Sequence, residues 1–134
     1  MGEAIKKEHL HYLICVPSLD ELGYLENILN NAINLTFIVI NHSVQMALEK
    51  LGFYDVYILQ ASNEFIEVSP VDRVIVLEND LTSTHFLIKI ASTIVKAPIV
   101  VVTSNKDIPG QIYRLLGAKV VMHSNNKNIR FLLD

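Results

Sequence analysis

Carboxylates stand at the ends of several apolar runs, and they are the residues best placed to do chemistry. Asp20 and Glu21 follow the first run, Glu78 and Asp80 the fourth, and Asp107 the fifth. In an open parallel sheet the strand ends form the crevice where ligands bind. Asp20, Glu78, Asp80 and Asp107 therefore form a candidate divalent-metal set, suited to Mg or Mn because these hard cations take oxygen ligands. The competing expectation is helix capping, since Asp and Glu are favoured where a helix begins. Thr103-Ser104-Asn105-Lys106 precedes Asp107. Its hydroxyls and lysine, with Arg114 further on, have the chemistry to bind phosphate, with help from the helix expected to follow.

Other chemistries lack their residues. The five glycines are Gly2, Gly23, Gly52, Gly110 and Gly117, a spacing that spells neither a dinucleotide fingerprint nor a Walker loop. The five histidines, His9, His11, His42, His85 and His123, contain no pair at helical metal-ligand spacing, and most read as surface or helix-end residues. Cys15 is the only cysteine, which excludes an internal disulfide and a cysteine-based zinc site. It lies within an apolar run and reads as a small core residue.

Six such runs are expected as strands: Tyr12–Val16, Leu35–Ile40, Val56–Leu59, Val74–Leu77, Ile99–Val102 and Val120–Met122. Several are apolar throughout rather than alternating, as happens when helices cover both faces of a sheet. Between them lie helical patterns. Ser18-Leu19-Asp20-Glu21 has capping-box spacing ahead of Leu22, Leu25, Ile28 and Leu29. A second helix follows Asn41 or Ser43, and a third begins near Asp80 to Thr84. A fourth is expected from Asp107 with Pro109 in its first turn, ending at Gly117. A last short helix covers Asn128 to Leu133, and Gln60 to Asp72 reads as a connection. The expected architecture is a three-layer α/β domain over residues 10–134, preceded by an arm at 1–9. Its five- or six-stranded sheet is mostly parallel, with helices on both faces.

With 134 residues, 51% of them hydrophobic and 19% charged, the chain has the material for one globular core. No apolar run reaches the ~20 residues of a membrane-spanning helix, so no membrane partner is expected. The N-terminus lacks the apolar centre of a signal peptide, which makes the cytoplasm the expected location. Charge is unevenly divided. Residues 1–80 hold four Lys and Arg against twelve Asp and Glu, whereas residues 81–134 hold seven against two. A basic half attracts RNA or an acidic protein surface. Attraction between the two halves, within one chain or between two copies, makes a homodimer a further expectation.

Two families are resembled. The stretches Thr84–Ala91, Pro98–Asp107 and Leu115–Val121, with Phe37–Val44 and Leu48–Leu51 upstream, are similar to PIN domains, the Mg- or Mn-dependent ribonuclease fold. The resemblance implies an acid at the end of strand one, where Val16-Pro17-Ser18 stands, with Asp20 a turn later. It implies a helical glutamate where Met46 or Ala47 falls, with Glu49 displaced. The late-helix aspartate falls on Thr84, and the Thr-x-Asp of the family reads Thr103-Ser104-Asn105. Such a degenerate set implies a non-catalytic RNA- or protein-binding module, since the lost carboxylates would hold metal and activate water. A displaced set of Asp20, Glu49, Asp80 and Asp107 is the candidate for weak metal-dependent ribonuclease activity.

The second resemblance is to response-regulator receiver domains. Thr103-Ser104, a helix, Gly117-Ala118 and a strand follow their C-terminal order, and Asp72–Glu78 resembles the phosphorylation strand with Glu78 as the acceptor's replacement. It implies a pseudo-receiver that signals by protein–protein contact.

Overall fold

The computed structural model describes residues 10–26, 28, 33–59, 68–124 and 129–133. The expected arm at 1–9, residues 60–67 of the expected connection, Leu29 and Asn128 lie outside this set. Six strands run β1 (Leu10–Val16), β2 (Ile33–Val39), β3 (Val56–Ile58), β4 (Arg73–Leu77), β5 (Ile99–Thr103) and β6 (Val120–His123). They form one sheet in the order β3-β2-β1-β4-β5-β6. Every neighbouring pair is parallel.

The apolar runs are explained by burial on both sides. In β1, Tyr12, Ile14 and Val16 face one core, and Leu13 and Cys15 face the other. The first core is covered by a 3-10 segment (Leu19–Leu25), by α1 (His42–Lys50) and by α4 (Arg130–Leu133). The second is covered by α2 (Leu81–Ile94) and α3 (Gly110–Leu116). This is the three-layer α/β architecture, with six strands and no antiparallel member among the described residues. Burial of that extent also settles Cys15: it is fully enclosed, and loss of solvation pushes its thiol up to about 12. It packs as a neutral apolar side chain.

Helix starts follow their caps. Asn41 Oδ1 accepts from the Val44 amide, and Asp80 Oδ1 from the Ser83 amide. Gly117 ends α3 with φ 128°. Two expectations need correction. The segment after β1 is a 3-10 helix ending at Leu25, not an α-helix, because Gly23 in its interior weakens α-helix formation and short pieces tighten. Its capping is also different: Ser18 Oγ accepts from the Asp20 amide and donates to Glu21 Oε1. The fourth helix begins at Gly110, three residues later than Asp107. Pro109 disfavours helical backbone at Ile108, so helix cannot extend back through that residue.

Candidate functional site

In this strand order the chain leaves β1 toward one face and β4 toward the other, so a crevice opens beyond the ends of β1 and β4. What lines it is a network of side chains that the sequence places far apart. From the β1 side come Ser18 and Glu21, and from the β4 side Asn79. Asn79 Nδ2 donates to Ser18 Oγ at 2.8 Å and to Glu21 Oε1 at 3.2 Å. Ser18 Oγ in turn donates to Glu21 Oε1 at 2.6 Å.

Beneath this lies a second carboxylate. Glu78 is 5% exposed, and its Oε1 accepts from Thr103 Oγ1 at 2.7 Å. Thr103 Oγ1 also accepts from the Asn105 amide, and Asn105 Oδ1 from the Asp107 amide. Among the described residues, the second carboxyl oxygen of Glu78 is buried without a hydrogen-bond partner, as are the hydroxyls of Thr84 and Tyr113. Tyr113 lies against Glu78 and Thr103 without a hydrogen bond of regular geometry, and burial, reinforced by the Glu78 charge, pushes its phenol up to about 12. Tyr24 also lies within the electrostatic reach of Glu21 and Glu78. Its phenol is raised, chiefly by burial and opposed by a hydrogen bond with Ser104. Two carboxyl groups and two neutral phenols thus meet at the strand ends.

The acids expected to act together are distributed differently. Asp80 uses both carboxyl oxygens on Ser83, one on its amide and one on its hydroxyl. Asp20 and Asp107 are exposed, and Glu49 is exposed on α1. Among the described residues, no three His, Cys, Asp or Glu side chains are grouped to hold a metal ion. The set Asp20, Glu78, Asp80 and Asp107 therefore does not assemble, and neither does Asp20, Glu49, Asp80 and Asp107.

The expected phosphate-binding residues separate as well. Thr103 is fully buried and its hydroxyl is engaged with Glu78, while Ser104, Lys106 and Arg114 are exposed and Asn105 is half-buried. The turns at Thr103–Asp107 are closed by their own side chains, and α3 starts beyond them at Gly110.

Sequence reasoning missed Asn79, Tyr24 and Tyr113. Asn79 carried a signal, since it stands between two strand-end acids. The tyrosines carried none that separates them from ordinary core aromatics.

No helix is long and apolar enough to cross a membrane among the described residues. Comparisons with protein-family models, with curated proteins and with solved structures give no match to this chain.

Proposed function

We propose that this chain is a non-catalytic, PIN-like module that binds RNA through the layer formed by α2 and α3. One observation carries the reading. From Leu81 to Ser124 there are five Lys and Arg, against Asp107 alone, and Lys89, Lys96, Lys106, Arg114 and Lys119 are all exposed. They sit on α2, on α3 and in the loops at their ends, over one face of the sheet. Such a layer attracts a polyanion, and the attraction weakens with salt through counterion release. The carboxylates support the non-catalytic part of the reading. Asp80 is spent on a helix cap, Glu78 bonds internally to Thr103, and the acids do not gather.

A protein with an acidic surface is the second reading, favoured by Leu115, which is 83% exposed beside Arg114. The receiver-like reading, a module that signals by protein–protein contact, stays beside these, since the strand order without the edge strand β3 is also the 2-1-3-4-5 order of receivers.

The test is binding to a labelled structured RNA at low and rising salt, with the double variant Lys106→Ala, Arg114→Ala beside the parent chain. The expected result is salt-sensitive binding, weakened about tenfold by the double variant with a shallower salt slope. No binding at low salt, or an unaffected double variant, overturns the reading.

A further inference from the structure

RNA binding on the helical layer leaves the carboxyl edge of the sheet unused, and that edge holds a carboxyl oxygen to which nothing donates. Glu78 Oε1 accepts from Thr103 Oγ1 at 2.7 Å, whereas Oε2 is buried without a hydrogen-bond partner among the described residues. The neighbouring acid is served by the chain itself. Glu21 Oε1 accepts from Ser18 Oγ at 2.6 Å and from Asn79 Nδ2 at 3.2 Å.

Strand alternation shows where Glu78 points. Val74 and Val76 of β4 and Ile99 and Val101 of β5 face the second core, and the next positions in that alternation are Glu78 and Thr103. Pairing continues that far, since the Glu78 amide donates to the Val102 carbonyl at 2.8 Å. Both side chains therefore turn toward α3. From α3 comes Tyr113, fully buried, whose hydroxyl lies against Glu78 and has no hydrogen bond of regular geometry among the described residues. Two elements thus aim an unsatisfied polar group at one place. On the solvent side stand Ser18 and Asn79, both half-buried, and Ser104, which is exposed.

The missing partner must bring hydrogens, because a carboxylate only accepts. It should also bring positive charge. Glu78 receives only a neutral hydroxyl among the described residues, and Glu21 and Glu78 both lie within electrostatic reach of the Tyr24 hydroxyl, so their fields add there. A charged N–H bonds a carboxylate more strongly than a neutral one does. A hydrated Mg ion suits the place less well, since it keeps several waters and Oε2 is sealed from solvent.

We propose that the carboxyl edge binds a small primary ammonium ligand, whose N–H groups donate to Glu78 Oε2 and to the Tyr113 hydroxyl. An ammonium carries three donors, enough for both acceptors together. Binding satisfies two buried groups that otherwise cost stability, so the ligand stabilises the fold.

The experiment uses the full chain without nucleic acid. Methylammonium, ethanolamine and putrescine are titrated at constant ionic strength while thermal melting is followed. At least one is expected to raise Tm by about 4 °C at ten times its Kd. Glu78→Gln is expected to weaken binding at least tenfold, Tyr113→Phe about three- to tenfold, and Glu49→Gln, an exposed acid on α1, not at all. Four results overturn the proposal: no rise with any of the three amines, an equal rise with tetramethylammonium, which has the charge but no N–H, a rise that survives in Glu78→Gln, or a rise with magnesium chloride alone that Glu78→Gln abolishes. Should Glu78→Gln fail to fold, undiminished binding by Tyr113→Phe overturns it.

Discussion

Both edges of the sheet bury a threonine that donates to a carboxylate, and the two arrangements differ in what surrounds that bond. Where the strands begin, Thr36 Oγ1 donates to Asp55 and meets one ring nitrogen of His11, whose second ring nitrogen meets Pro70. Each of those groups has a partner. Where the strands end, Thr103 Oγ1 donates to Glu78 and accepts from the Asn105 amide, but the other Glu78 oxygen, the Tyr113 hydroxyl and the Thr84 hydroxyl have none among the described residues. Buried polar groups without partners cost stability. One edge is therefore organised for holding segments together, and the other carries a cost at the place where parallel sheets put their ligands.

The sharpest way to break that contrast is Thr36→Val, which keeps the shape and removes the hydroxyl shared by His11 and Asp55. It is expected to cost about 2–3 kcal/mol in urea unfolding, because two groups, at least one of them charged, lose a partner together. A loss below half of that would make the amino edge incidental.

Glu78→Gln should act in the opposite direction. The amide oxygen still accepts from Thr103, and the new NH₂ group can donate to the Tyr113 hydroxyl. A gain of about 1 kcal/mol is expected. A clear destabilisation would mean that the Glu78 carboxylate is already well satisfied, and the two edges would then be alike.

The smallest effect belongs to Tyr113→Phe, which is expected to raise stability near neutral pH by less than about 1 kcal/mol, since it removes a buried hydroxyl that has no hydrogen bond of regular geometry among the described residues. Its signature lies in the alkaline range. The Tyr113 phenol stands at about 12 against an ordinary 10.0, so as pH rises between these values the unfolded chain ionises first. Stability carried by this group is complete below pH 10 and is lost as pH climbs through about 12. Alkaline melting of the Phe variant should show a shallower decline than the parent's. Identical slopes would remove Tyr113 from the carboxyl-edge cluster.

These residues also mark how far sequence alone reaches. Ile99–Val102 and Val74–Leu77 declared a doubly covered sheet because no position in them is polar, and Asn41, Asp80 and Gly117 announced helix boundaries through local chemistry. Glu78 was legible as an acid at a strand end. Its bond to Thr103 was not, because 25 residues separate them and only the pairing of β4 with β5 brings them together. His11 reads as a surface histidine on spacing alone. Its contacts come from Thr36, two residues beyond its register partner Asn34 in the pairing of β1 with β2, and from Pro70, delivered by the entry into β4. The fold follows from patterns within a few residues, whereas both polar clusters follow from strand order.

Gly117 gives that dependence a mechanical form. Its backbone is in the left-handed region, and a Cβ built there would come within 3.0 Å of Ile88 Cγ2 on α2. The turn that ends α3 thus rests directly on the neighbouring helix, and the absence of one methyl group sets how closely the two cylinders lie. The spacing of α2 and α3, and with it that of Lys89 and Arg114 which they carry, is gauged by a residue that bears no charge at all.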